Sequence, residues 1–271
     1  MPIRKRYQHD IVTGARVGRF DLGINTNFIV YRIDDTVIDC GPPNQWQYVK
    51  TFLGDKPIRQ LLLTHHHEDH SGNANSIAAS FNLTPLAPAL SYEKLKQGYK
   101  IPPIQKLIWG NPVPVETVSL PDDLRLCDGS KVIPVHTPGH AKDLTCYFIP
   151  DKKWLFSGDL YISRSLKYLR ADEDLSQLID SIRKVLELDF EILFCPHRGI
   201  VEEGKQAMMD KLDNLLRLCE ESQALKGQGM SEKQIVKKVL GKEDGISYLS
   251  AFNISKINLI REALKVSLTS G

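Results

Sequence analysis

Residues 65–70 read His-His-His-Glu-Asp-His, which puts four candidate metal ligands, His65, His67, Asp69 and His70, into six positions. Ordinary packing does not ask for that density. A core histidine needs one hydrogen-bond partner, and a solvated run would favour Lys or Glu over imidazole. Imidazole and carboxylate together suit zinc, iron or manganese, and an ion so held can polarise an oxygen and activate water. Three further candidates stand downstream: His140 in Thr137-Pro138-Gly139-His140, Asp159 in Ser157-Gly158-Asp159, and His197 in Cys195-Pro196-His197. Singly, each is an ordinary capping or hydrogen-bonding residue, and His9 and His136 are read that way. His66 points away from His65 and His67 if the segment is extended, so it reads as a packing or supporting residue.

Each candidate follows a strand-like run. Leu61-Leu62-Leu63-Thr64 has the composition of a buried strand and delivers the histidine cluster at its C-terminal end, where α/β proteins build sites. Strands predicted at 131–135, 153–156 and 191–194 precede His140, Asp159 and His197, each through a turn with Gly or Pro. One edge of a sheet sandwich could gather all of these side chains. Elsewhere, Asn27–Ile33 and Thr36–Asp39 read as a hairpin around Asp34-Asp35, and Thr145–Ile149 as a strand. Trp46–Leu53 and Ser71–Ser80 read as helices. Asp174–Leu188 reads as an amphipathic helix, with Leu175, Leu178, Ile179, Ile182 and Leu186 on one stripe.

Residues 85–118 hold six prolines and read as irregular, with Tyr92, Lys94, Lys96, Tyr99, Lys100, Lys106 and Trp109 forming a basic and aromatic insert. From about residue 205 strand patterns stop. Helices are predicted at Lys205–Ala224, Ser231–Leu240 and Ile254–Val266, with Ser231 and Gln234 as a capping box. The expected organisation is a catalytic domain over residues 1–204 and a helical extension over 205–271.

A chain of 271 residues with a net charge of +2 is not a polycation, so composition does not demand nucleic acid. Five scattered cysteines without a CxxC pair predict reduced thiols and a cytoplasmic compartment, and argue against a disulfide frame or zinc ribbon. The basic start, Met1 to Arg6, is followed by no apolar stretch, so no signal peptide is expected. No apolar run approaches the roughly 20 residues that span a bilayer. The expected partner is a small molecule, with no membrane; a homodimer is compatible with the sequence.

The order HxHxDH, TPGH, GD and PH, carried here by Thr64 to Gly72, Thr137 to His140, Ser157 to Asp159 and Pro196-His197, resembles the metallo-β-lactamase superfamily of metal-dependent hydrolases. The likeness covers roughly residues 20–200. It implies an α/β fold, a four-layer αββα sandwich with the site at one edge of its two sheets, followed here by the helical extension. It also implies two divalent ions. His65, His67 and His140 would bind the first, Asp69, His70 and His197 the second, and Asp159 would bridge them. A hydroxide held between the ions would be the nucleophile, and Asp69 would orient it and carry its proton. Zinc is the first choice of ion, with iron or manganese as alternatives. Asp39 is similar to a family aspartate that braces the histidine loop; by itself it reads equally well as a turn residue.

Within the superfamily, true β-lactamases typically carry Cys where Asp159 stands, which argues against antibiotic hydrolysis. The glutathione-binding pattern of glyoxalase II is not recognisable after Asp159. Arg164, with Lys167 and Arg170, and the lysines of the insert would favour an anionic substrate if they overhang the site; otherwise they are a solvated surface. Tyr161 and Arg198 are candidates for contacting substrate, with packing as the plainer reading. The expected activity is cleavage of an ester, thioester or lactone. Two alternatives stay open: a phosphodiesterase or ribonuclease, whose C-terminal residues 230–266 would form a winged-helix-like module, and a mono-iron oxidoreductase resembling persulfide dioxygenases, which keep the same histidines.

Overall fold

The run Phe28-Ile29-Val30-Tyr31-Arg32-Ile33 is buried at every position, as a strand is where both faces of its sheet are covered. In the computed structural model, which describes residues 3–21 and 26–268, this run is the third strand of a seven-stranded sheet. Residues 1–2 and 269–271, the extreme ends of the two expected segments, lie outside the described residues. The strands lie side by side in chain order: β1 (Lys5–His9), β2 (Val12–Val17), β3 (Phe28–Ile33), β4 (Thr36–Ile38), β5 (Gln60–Leu62), β6 (Leu86–Ala87) and β7 (Val118–Ser119). β1 to β4 pair antiparallel, and β4 to β7 pair parallel.

The period of two in β3 sorts its side chains between two cores. Phe28 and Val30, with Val37 and Leu61, pack with Val49 and Leu53 of α1 (Trp46–Leu53). Two helices follow β5, α2 (Glu68–Ser71) and α3 (Ala74–Phe81), and Ala74 and Ile77 of α3 join the same cluster. Ile29, Tyr31 and Ile33, with Ile38 and Leu62, pack instead with Tyr147, Ile149, Trp154, Phe156 and Phe194. The latter five belong to a second sheet of β8 (Ile133–His136), β9 (Thr145–Ile149), β10 (Trp154–Phe156), β12 (Ile192–Cys195) and β13 (Gly199–Val201), in the order β13-β12-β10-β9-β8. β10 and β12 are parallel neighbours, so the turns after both leave at the same edge.

The insert, expected as irregular, contains β6, β7, α4 (Tyr92–Gln97) and α5 (Pro103–Trp109). Its prolines misled the reading: Pro103 sits in the first turn of α5, where its missing N–H costs nothing. Leu95 and Trp109 are buried in the helix-side core.

The described chain divides into two compact units. The sheets and α1 to α5 lie in the first, which takes residues up to 136, 143–162 and 189–204. The second takes 137–142, 163–188 and the residues from 205 on, so two segments inside the expected catalytic stretch group with the helices. It contains α6 (Leu175–Leu186), nearly all of α7 (Gly204–Gly227), α8 (Glu232–Val239), α9 (Gly245–Leu249), α10 (Lys256–Ala263) and a two-stranded sheet of β11 (Leu169–Arg170) and β14 (Ile254–Ser255). Leu225, Ile235, Val236 and Ile260 form its small core. The capping box holds, with Ser231 N donating to Gln234 Oε1 at 2.8 Å. No helix among the described residues is long and apolar enough to cross a membrane. None of the five cysteines, all among the described residues, is in a disulfide.

Candidate metal centre

β4 and β5 run parallel, so the loops that follow them emerge together. Asp39, just past β4, uses this directly. Its amide donates to Leu62 O at 2.9 Å. Its carboxylate accepts from Thr64 N (2.7 Å) and Thr64 Oγ1 (2.8 Å) and meets His70 Nδ1 at 2.7 Å. One aspartate thus grips both ends of the histidine loop. It does so from the left-handed region, at φ 54°, which Asp tolerates better than most residues. Asn73 tightens the next turn by donating to the carbonyls of Cys40, Gly41 and Pro42.

The inward atoms follow from these outer bonds. His70 Nδ1 is taken by Asp39, so Nε2 faces Asp159 Oδ1 at 3.2 Å, buried and without a hydrogen-bond partner. His197 Nδ1 donates to Asn27 O at 2.9 Å, so its Nε2 faces Asp159 Oδ1 (3.3 Å) and Asp69 Oδ2 (3.5 Å). His65 Nδ1 lies 3.0 Å from Thr64 Oγ1, and its Nε2 lies 2.9 Å from His67 Nδ1. Asp159 stands on a 3₁₀ turn, Gly158–Leu160. At Gly158, φ +46°, a Cβ would approach Leu144 to 2.8 Å, so glycine lets this turn close against the loop. One ligand atom each from His65, His70 and Asp159 lie within 4.8 Å of one another, and so do those of Asp69, His70 and His197.

Charge in this cage is unbalanced. Burial disfavours a charged His70, yet Asp159, Asp39 and Asp69 surround it and hold its pKa well above the usual imidazole value. His197 is raised in the same way, burial being outweighed chiefly by Asp159. Buried carboxylates aimed at imidazole nitrogens call for a cation, a proton or a metal ion. The nitrogen and oxygen donors fit zinc, iron or manganese.

His66 turns the other way, as its alternate position predicts. Its backbone N donates to Asp143 Oδ2 at 2.8 Å and its Nδ1 lies 2.9 Å from Asp143 Oδ1. Ser91 Oγ donates to the same carboxylate at 2.7 Å. Burial pushes Asp143 up, but His66 and Ser91 overcome it and bring its pKa down to about 2. Lys94 Nζ lies 3.0 Å from His66 Nε2, and Tyr99 OH donates to His66 O at 2.7 Å, tying the insert to the loop.

The other expected site residues are placed as follows. His140 stands on the 137–142 loop with Nδ1 2.8 Å from Glu173 Oε1. Tyr161 is buried, and its carbonyl accepts from Cys195 Sγ at 2.9 Å. Arg198 Nε donates to Ile162 O at 3.1 Å. Arg164 pairs with Asp210 (3.2 Å), Arg170 with Asp172 (3.1 Å) and Lys96 with Glu116 (3.1 Å), so three of the cations expected for an anionic substrate already face carboxylates. Sequence reasoning missed Asp143, Glu173 and the Asn27 carbonyl. Asp143 and Glu173 look like turn and helix-start acids, and a backbone acceptor leaves no trace in residue type.

The profile of the metallo-beta-lactamase superfamily matches residues 20–197. An atrochrysone carboxyl ACP thioesterase of Aspergillus fumigatus is 25% identical over 76% of this chain, and the chain spans 61% of that relative's length. A beta-lactamase domain protein from Burkholderia ambifaria superposes with a TM-score of 0.73 at 16% identity, covering 98% of this chain and 90% of that one. The metallo-beta-lactamase FIM-1 of Pseudomonas aeruginosa, solved in a mono-zinc form, gives 0.60 at 17% identity over 79% of this chain and 95% of its own.

Proposed function

The chain belongs to the metallo-β-lactamase superfamily, and on that premise we propose that it is a metal-dependent hydrolase of a small thioester, ester or lactone. The observation that carries this reading is Asp159, one buried carboxylate oxygen facing both His70 and His197. That is the disposition expected of a group shared by two ions. His65, His67 and His140 would hold the first ion, Asp69, His70 and His197 the second, and Asp159 both. Two divalent ions, when bound, supply Lewis acidity toward a carbonyl and lower the pKa of water to about 7.

The chain's own residues do the rest. Asp39 and the Asn27 carbonyl hold His70 and His197 as Nε2 donors. Asp69, beside His197 Nε2, is aimed to accept the proton that attacking water loses and to return it to the leaving group. Aspartate at 159, where antibiotic-hydrolysing members carry cysteine, speaks against lactams, and the thioesterase among the relatives favours a thioester. Zinc suits the donors and the mono-zinc form of a structural neighbour, with iron or manganese as alternatives. Residues 1–204 would carry the chemistry in the cytoplasm, with 205–271 as its helical extension.

Metal analysis and an assay panel test this. The expected result is about two transition-metal ions per chain, and turnover of an acyl-thioester that Asp159→Ala lowers at least about a hundredfold. The panel adds p-nitrophenyl esters, lactones and bis-p-nitrophenyl phosphate. A single iron per chain, or an Asp159→Ala variant as active as wild type, overturns the reading.

A further inference from the structure

His140 stands on a loop pinned to the start of α6 at three points. Asp174 N donates to Gly139 O at 2.8 Å. Ser181 Oγ donates to Pro138 O at 2.6 Å. Glu173 Oε1 lies 2.8 Å from His140 Nδ1, with both side chains about nine-tenths buried. The approach is as close as backbone allows. At Gly139, φ +134°, a Cβ would stand 2.5 Å from Leu178 N and Cα, so any other residue would lift the loop off the helix. The N-terminus of α6 is itself fixed, Asp174 Oδ1 accepting from Gln177 N at 2.9 Å.

Glu173 has a second set of constraints behind it. Its amide donates to Arg170 O at 3.3 Å, the last residue of β11. β11 pairs antiparallel with β14, Leu169 opposite Ser255 and Arg170 opposite Ile254. Ala171 N donates to Asn253 O at 2.8 Å, extending the pairing. Asn258, in the first turn of α10, donates to Leu169 O (3.4 Å) and to Phe252 O (2.9 Å). Leu259 and Ile260 anchor α10 in the interior. The C-terminal segment therefore holds the strand that leads into the turn bearing Glu173.

We infer that Glu173 is the positioning residue of His140, and that β14 and α10 set Glu173 in place through β11. This rests on the reading of His140 as a metal ligand. With Nδ1 given to a carboxylate, the ring presents Nε2, in one orientation and with raised basicity.

The test uses the full chain with His140→Ala, Glu173→Ala, Glu173→Gln and Asn258→Ala. Zinc is titrated against a chromophoric chelator, the cobalt-substituted proteins are read by visible absorption, and circular dichroism checks the fold. His140→Ala is expected to bind one ion fewer than wild type. Glu173→Ala should weaken one ion by about 10- to 100-fold and shift the cobalt band. Glu173→Gln, which still accepts from Nδ1, should recover part of both and keeps a readout should the alanine variant misfold. Asn258→Ala should weaken the same ion by a smaller factor, and add nothing in the Glu173→Ala background. If His140→Ala loses an ion while Glu173→Ala binds and absorbs like wild type, the assignment of Glu173 is wrong. Equal weakening by Asn258→Ala in both backgrounds removes the C-terminal part. Full metal content in His140→Ala overturns the ligand assignment itself, and this inference with it.

Discussion

Asp39 and Asp143 are both buried carboxylates bonded to an imidazole of the same histidine cluster, one reaching it from the end of β4 in the first sheet and the other from just before β9 in the second. Their surroundings differ. Asp39 holds His70, whose other nitrogen faces Asp159 inside the cage. Asp143 holds His66, whose other nitrogen faces Lys94 of the insert. The first bond reaches the candidate metal and the second reaches the surface. Similar chemistry on the two sides of one loop therefore divides into a bond that orients a candidate ligand and a bond that fixes the backbone carrying it.

Substitution at Asp39 should break this contrast most severely. Asp39→Ala strands His70 Nδ1 and both donors of Thr64, and also puts a β-carbon without polar help in the left-handed region. A loss of about 3–5 kcal/mol in urea unfolding is expected, the cost of removing one partner from a buried charged network. Asp39→Asn tolerates the backbone and isolates the charge; its metal affinity should fall about 10- to 100-fold. Wild-type affinity in that variant would leave Asp39 as the plain turn residue of the alternative sequence reading.

At Asp143 the expected loss is smaller and lies in stability. Asp143→Asn should cost about 1–3 kcal/mol, with less than a tenfold change in metal affinity. The sign of its pH dependence follows from a pKa lowered from 3.8 to about 2 on folding. Its stabilisation is complete above the unfolded value and disappears as pH falls through the folded one. The stability gap between wild type and Asp143→Asn should thus be constant well above the unfolded value of 3.8 and narrow as pH falls from there toward about 2. If Asp143→Asn loses metal as readily as Asp39→Asn, the two grips are one network. The smallest effect belongs to Lys94→Met, an exposed partner of His66: a change within about 0.5 kcal/mol and an unaltered metal content. Loss of metal in that variant would extend the cage into the insert.

Much of the cage was legible because its residues are improbable as packing. Four candidate ligands in six positions, each later candidate just past an apolar run, need no alignment to suggest convergence. The strands were legible through period and composition, Trp46–Leu53 appearing as a helix with the expected bounds. What failed was local. The insert's prolines hid α5, and the polar run Lys5–His9 gave no sign that it pairs with β2. Ile254 and Ser255, expected as the start of a helix, instead pair with β11, because the pairing partner lies far off in the chain. The supporting acids were hidden for the same reason. Nothing near Glu173 or Asp143 in the chain distinguishes them from any other turn acid; only the fold brings their histidines to them.

The parallel pairing of β10 with β12 also sets a timetable. Asp159 follows β10 immediately, but His197 follows β12, and the chain between them passes through β11 and α6 before returning to the same sheet. During synthesis the histidine loop leaves the ribosome early and must wait, exposed, for a partner made much later. A chain that stops short of residue 197 lacks one of the three candidate ligands grouped as Asp69, His70 and His197. Completing that second group requires the β10–β12 pairing, so an ion captured there would report that the second sheet has assembled.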